Sequence, residues 1–299
     1  MPKKVPILIT SDVHLHVFPI EEIERSLQNM IGVLKGFGIK TTFFFPANAA
    51  SIFKDTVKSI IEAGHLIGCH GLTHEAHEQY NCLPQDMQED YIRRATDQIC
   101  EVTGEAVNVF RAPVFKISGA TVRVLERCGY KADFSINSQR LGLSGSDIFN
   151  ISWMYAPRMP YHPDRCHPCR KGKTKLWEIP LSCLLLPFMS NTGQMFKLSF
   201  MKRFFDFLYY ESKLTGKPIV YLVHAEDLFP MRKDPGRKRI RLRDLLPSRT
   251  YGFECRHWFF QTNPQKVYEQ NIGLFKYMSS FEDVQFLRAD EYISLLEGL

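Results

Sequence analysis

A chain of 299 residues exceeds the usual single-domain size, but α/β barrels reach this length around one core, so one domain over residues 1–299 is expected. With 44% hydrophobic and 23% charged residues the composition is that of an ordinary globular protein, which excludes a disordered or repeat-built chain. The net charge of +6 is modest and gathers largely in one run, Arg232-Lys233 and Arg237-Lys238-Arg239-Ile240-Arg241-Leu242-Arg243, with no aromatic residues between the charges, so nucleic acid is not an expected partner.

In chain order, Val5–Asp12 is a continuous apolar run, the mark of a strand covered on both faces, and Ile20–Gly36 has helical periodicity with acidic residues in its first turn. Thr41–Phe45 is β-branched and aromatic, hence a strand. Residues 51–63 predict a helix with Ser51 as its cap and Gly64 beyond its end. Leu66–Cys69 is a third strand, 83–103 a long helix stopped by Gly104, 108–111 a fourth strand, 118–128 a helix closed by Gly129, and 132–135 a fifth strand. The repeated βα order predicts a parallel sheet or barrel. Irregular insertions follow near 137–175 and 225–262. Between them lie a short strand at 177–180, an amphipathic helix over 200–214 whose aromatic stripe is expected to face the barrel, and a buried strand at 218–224 that ends on His224. A helix, a strand at 284–287 and a terminal helix complete about eight strands.

No secretion signal is visible, because the apolar run after Met1-Pro2-Lys3-Lys4 is too short and meets Asp12 at once. The longest apolar stretch, from Leu181 to Met189, is interrupted by Ser182 and Pro187 and is far short of a membrane span. A cytoplasmic location is therefore expected, with the eight cysteines as reduced thiols. The basic run reads as a solvated loop, or as a contact for phosphate or for an anionic membrane surface. Cys166-His167-Pro168-Cys169, near His162, has the spacing of half a zinc knuckle but lacks a second Cys-x-x-Cys.

The chemistry-bearing residues fall at strand ends: Asp12 and His14 after the first, His70 and His74 after the third, Arg111 after the fourth, Asp133 at the fifth and His224 after the seventh. In a βα barrel all of these open onto one C-terminal face. The four-residue spacing of His70 and His74 puts both imidazoles on one side of a helical turn. Strand periodicity puts Asp12, His14 and His16 on one face, so His14 can join the pair as a third ligand, with His16 as its rival. Three protein ligands with an open position form the catalytic kind of zinc site.

Gly64-His65-Leu66-Ile67-Gly68-Cys69-His70-Gly71-Leu72-Thr73-His74 resembles the metal-binding motif of the polysaccharide deacetylases, the NodB-homology family. Ile9-Thr10-Ser11-Asp12 is similar to that family's first motif, Phe110-Arg111-Ala112-Pro113 to its Arg-x-Pro motif, and Tyr221-Leu222-Val223-His224 to its Leu-x-His motif. The resemblance implies a distorted (β/α)7-8 barrel that hydrolyses an N-acyl group, chiefly acetyl, from an amino sugar or glycan. It also implies Asp12 as catalytic base, His224 as general acid, Arg111 as the residue orienting Asp12, and a divalent metal. Asp133 and Glu178 stand where weaker family signatures are expected, and with Pro113 of the Arg-x-Pro motif they are the candidate substrate contacts. The family's common pattern has adjacent acids, base then ligand, and here the second position is Val13; members with an Asp-x-Asp spacing match His14 to the ligand. A His14, His70, His74 set is neutral and suits Zn2+. Two other readings stand beside this one: a deformylase or deacetylase of a lipid- or phosphate-linked amino sugar, with peripheral membrane contact, and a non-catalytic metal- and glycan-binding barrel.

Overall fold

The computed structural model of the chain describes residues 4–15, 18–140, 151–231, 246 and 258–298. The basic run at 232–243, including Arg237, Lys238 and Arg239, and the rival ligand His16 lie outside the described residues. Among the described residues no helix is long and apolar enough to cross a membrane.

Among the described residues eight parallel strands form one curled sheet: β1 (Val5–Asp12), β2 (Thr41–Phe45), β3 (Leu66–Cys69), β4 (Val109–Phe110), β5 (Ala132–Asp133), β6 (Trp177–Glu178), β9 (Ile219–Leu222) and β10 (Val284–Phe286). A small antiparallel hairpin, β7 (Cys183–Leu184) with β8 (Leu186–Pro187), stands apart. From one end the order is β6, β5, β4, β3, β2, β1, with β9 on the far side of β1 and β10 beside the first half of β1. Residues 179–189 cross the gap between β6 and β9. Ser182 N–H donates to the Val220 carbonyl, Ser182 Oγ accepts from Val220 N–H at 2.9 Å, and Leu222 N–H donates to the Phe188 carbonyl. The result is the distorted (β/α) barrel that the sequence predicts.

Helices α1 (Ile20–Gly36), α2 (Ala47–Ile52), α3 (Lys54–Glu62), α4 (Gln85–Thr103), α5 (Gly119–Arg127), α6 (Ser152–Tyr155), α7 (Ser190–Met195), α8 (Leu198–Thr215), α9 (Pro264–Met278) and α10 (Ala289–Glu297) accompany the strands. The helix expected over 51–63 differs from its expectation. It is two helices, α2 (Ala47–Ile52) and α3, broken at Phe53, and Ser51 lies inside α2 and caps nothing. Pro46 explains the earlier start, since it cannot donate within a helix but is tolerated just before the first turn.

Strand alternation divides the interior into two cores. Leu8, Phe44, Val109, Ala132, Phe134, Val220 and Leu222 pack against one another inside the curled sheet. Ile7, Ile9, Phe43, Phe45, Ile67, Phe110, Ile219 and Tyr221 take the opposite face and pack with α1, α3, α4, α8 and α9. Gly68 is required inside, because a Cβ there would meet Phe44 and Val109 side-chain atoms at 2.8 Å. Helix α8 buries Met201, Phe204, Phe205, Leu208 and Ser212. Its aromatic stripe is therefore not wholly the barrel-facing side: the 3.6-residue period turns Phe200, Phe207 and Tyr210 outward, at 37%, 47% and 66% exposure.

His65 serves the corner between α3 and β3. Its Nδ1 accepts from Thr41 N–H at 3.1 Å, which ties the turn after Gly64 to the start of β2. Burial, with Arg288 and Lys40 nearby, pulls its pKa down from 6.5 to about 4. Folded His65 stays neutral in the range where unfolded His65 takes a proton, so it costs stability as pH falls from 6.5 to 4 and adds nothing further below that. With solvent screening the loss amounts to about 2 kcal/mol. His65→Asn keeps an acceptor for Thr41 without a titrating ring, and is expected to remove that part of the acid sensitivity. Denaturant unfolding at pH 7 and pH 4.5 measures it, and equal pH dependence in both proteins would refute it.

Candidate active site

Asp12, His14, His70, Arg111 and His224 have the parity that their strands give to the sheet interior, and His74 joins them from a loop. Along β1 and its continuation, Leu8, Thr10, Asp12 and His14 alternate with Ile7, Ile9 and Val13, and Val13 is buried in the outer core. The valine in the place of an acid therefore packs against apolar neighbours, and its side chain does not reach the site. Gly68 and His70, Val109 and Arg111, and Leu222 and His224 follow the same alternation, so the polar side chains form a top layer over the apolar interior.

The imidazoles of His14, His70 and His74 offer nitrogen atoms that all lie within 4.8 Å of one another, and they are the only such cluster among the described residues. The ring centroids stand 6.0 Å apart for His14 and His70, 4.6 Å for His14 and His74, and 4.9 Å for His70 and His74. His70 Nδ1 is bonded to the Arg111 carbonyl at 2.7 Å, which fixes the ring and leaves Nε2 buried with no hydrogen-bond partner among the described residues. Burial brings the His70 pKa down to about 3, although Asp12 pulls the other way. A neutral, orphaned imidazole nitrogen facing two more imidazoles fits a divalent cation of the zinc type.

Asp12 lies beside this cluster, its Oδ2 3.9 Å from His70 Nε2. Burial alone would raise the Asp12 pKa, but Arg111, with His70 and His224, holds the carboxyl below the usual value. Arg111 is fully buried. Its Nη1 donates to Asp12 Oδ1 at 2.7 Å and to Thr10 Oγ1 at 3.1 Å, and its Nε donates to the Phe134 carbonyl at 3.1 Å. The guanidinium carbon sits 4.4 Å from the Phe44 ring centroid, so the cation rests on an aromatic face of the inner core. On the other side, the His224 ring lies 5.0 Å from that of His14. His224 Nδ1 is 3.5 Å from Asp227 Oδ2, and Asp227 in turn accepts from Ser190 Oγ at 2.6 Å and Gln194 Nε2 at 2.8 Å. Burial opposes the charged ring, yet Asp227 and Glu226 overcome it and raise the His224 pKa to about 9.

Two sequence expectations change here, the helical turn of His70 and His74 and the cleft position of Asp133 and Glu178. His70 and His74 do not share a helical turn: residues 70–74 form a loop with Gly71 at φ +84° and His74 at φ +61°, and the rings meet because the backbone reverses. Asp133 and Glu178 have no open surface toward a cleft. They face each other across paired positions of β5 and β6 and accept from Ser135 Oγ and from Ile136 N–H respectively; burial raises both pKa values, Asp133 to about 6, and the Asp133 carboxylate raises that of Glu178 further. Cys166 is exposed and Cys169 buried, while the His162 ring lies 3.9 Å from that of Trp177, so no zinc knuckle forms among the described residues. Pro113 is buried and packs on the Gly71 turn. Two carboxylates that spacing alone did not single out support the site, Asp227 three residues after His224 and Glu78 four after His74.

Residues 2–132 match the sequence profile of the polysaccharide deacetylase family. The peptidoglycan deacetylase of Helicobacter pylori is 27% identical over 113 residues, 38% of this chain and 38% of that protein. The peptidoglycan deacetylase-like protein FGM2 of Gibberella zeae is 31% identical over 102 residues, 34% of this chain and 29% of its own length. The chain thus spans under two-fifths of these curated relatives. In fold, a Mycobacterium smegmatis protein described as a polysaccharide deacetylase superposes with a TM-score of 0.66 at 16% identity, covering 100% of this chain and 92% of that one. The PuuE allantoinase superposes with a TM-score of 0.63 at 15% identity, covering 99% and 91%. One fold thus carries two named chemistries, so the reaction must be argued from the site. The segment that holds Asp12, His14, His70, His74 and Arg111 is thus the part of the chain that is similar to the polysaccharide deacetylase family.

Proposed function

We propose that the protein is a divalent-metal-dependent hydrolase that removes an N-acyl group, acetyl in the first instance, from an amino sugar of a glycan. One observation carries this reading: three imidazoles converge within 4.8 Å beside a buried carboxylate held by Arg111. His14, His70 and His74 would hold the cation, and a neutral three-imidazole set suits Zn2+. When bound, the ion supplies a water of lowered pKa and a polarised amide carbonyl. Asp12 accepts the proton of the attacking water on Oδ2, because Oδ1 is engaged by Arg111. Arg111 orients that carboxylate and keeps it ionised. His224, anchored through Nδ1 by Asp227, presents its other nitrogen and protonates the departing amine.

The names of the matched relatives make peptidoglycan fragments and N-acetylglucosamine oligomers the first substrates to try. Zinc-loaded protein is expected to release acetate from one of them, to lose that activity on chelation, and to regain it when zinc is restored. Protein that binds zinc and the oligosaccharide yet releases neither acetate nor formate would replace this reading with that of a non-catalytic metal- and glycan-binding barrel.

A further inference from the structure

The loop that carries His74 wraps around a single buried carboxylate, that of Glu78. Its Oε1 accepts from Leu72 N–H at 2.6 Å and from Tyr80 O–H at 2.6 Å. Its Oε2 accepts from Thr73 N–H at 2.7 Å, Thr73 O–H at 2.9 Å and His74 N–H at 2.9 Å. Three consecutive backbone N–H groups aimed at one anion form a nest, a concavity that selects negative charge. The chain conformation that makes the nest is costly by itself, since His74 is held at φ +61°, a region that residues other than glycine seldom adopt. Gly71, at φ +84°, is part of the same device: a Cβ there would stand 2.5 Å from Glu78 Oε1. The nest ends on the backbone N–H of His74 itself, so it bears directly on where His74 projects.

We propose that Glu78 is a positioning residue that sets His74 as the third ligand of the metal centre, through the left-handed turn that its carboxylate stabilises; this rests on the metal-centre reading above. A glutamine in its place has one acceptor oxygen and an NH2 group that would face the N–H donors of the nest. The turn would then lose its anion and His74 its fixed direction, while His14 and His70 stay in place.

The test is titration of metal-stripped protein with zinc against a chromophoric chelator, with thermal unfolding of the metal-free forms beside it. Wild type is expected to bind one zinc, and Glu78→Gln to bind it about 10- to 100-fold more weakly while still unfolding cooperatively. In a His74→Ala background the same Glu78→Gln change is expected to leave zinc affinity unaltered, because the residue it acts through is gone. Tyr80→Phe removes one donor to Oε1 and keeps the test available if Glu78→Gln does not fold; it is expected to weaken zinc by about threefold. Wild-type affinity in Glu78→Gln, or in Tyr80→Phe where that variant stands in for it, would overturn the proposal and leave the metal centre standing. So would an equal loss with and without His74. A wild type that binds no zinc would overturn the metal-centre reading itself, and the role of Glu78 with it.

Discussion

Asp12→Asn is expected to lower the rate of acetate release by about 10²- to 10⁴-fold, the range of a general base, with little change in substrate affinity. Asparagine can still accept from Arg111 Nη1, so the loss isolates the proton-accepting capacity of Oδ2. Stability also changes, because Asp12 and Arg111 are a buried pair at 2.7 Å and the substitution leaves the guanidinium without its counter-charge. Removing one partner of such a pair costs about 3 kcal/mol. The rate must therefore be read well below the melting temperature of the variant, with zinc content measured in the same samples. Wild-type turnover in a zinc-loaded, folded Asp12→Asn protein would remove Asp12 from its assigned role.

His224→Ala is expected to lower the rate on an N-acetyl amine by a similar 10²- to 10⁴-fold, for a different reason. An alkylamine departs only after it gains a proton, whereas 4-nitrophenolate departs without one. The defect of His224→Ala should accordingly shrink on 4-nitrophenyl acetate, while that of Asp12→Asn should persist, since both reactions need an activated water. Asp227→Asn leaves the ring in place and weakens its anchor, which also includes Ser190 and Gln194. It should give a smaller loss with the same dependence on the leaving group. Equal losses for His224→Ala on the amide and on the ester would show that His224 is not the proton donor.

The βα order was legible in the sequence because parallel strands buried on both faces read as short apolar runs ended by Gly or by polar residues, as at Thr41–Phe45 and Leu66–Cys69. Period two also explains why Asp12 and His14 can serve one site across an intervening Val13: the valine belongs to the core between sheet and helices. The His70 and His74 pair was visible, but its backbone was not, since a four-residue spacing fits a helical turn as well as a reversed loop. The carboxylate that decides between the two, Glu78, works through backbone N–H groups that carry no residue identity.

What the sequence determined by itself was therefore local: strands, helices, the face each polar side chain takes, and the family motifs set at the strand ends. What only the tertiary structure decided was which of these residues meet. Asp133 reaches Glu178 through strand register and not the cleft, Asp227 joins His224 after the chain has turned, and residues 179–189 link β6 to β9, which pairs with β1. The physical reason is that spacing along the chain sets a side chain's direction within its own element, whereas distances between elements depend on how the sheet curls. That curl brings His14, His70, His74 and His224 from three strand ends to one mouth of the barrel, and no pattern in one strand records the others.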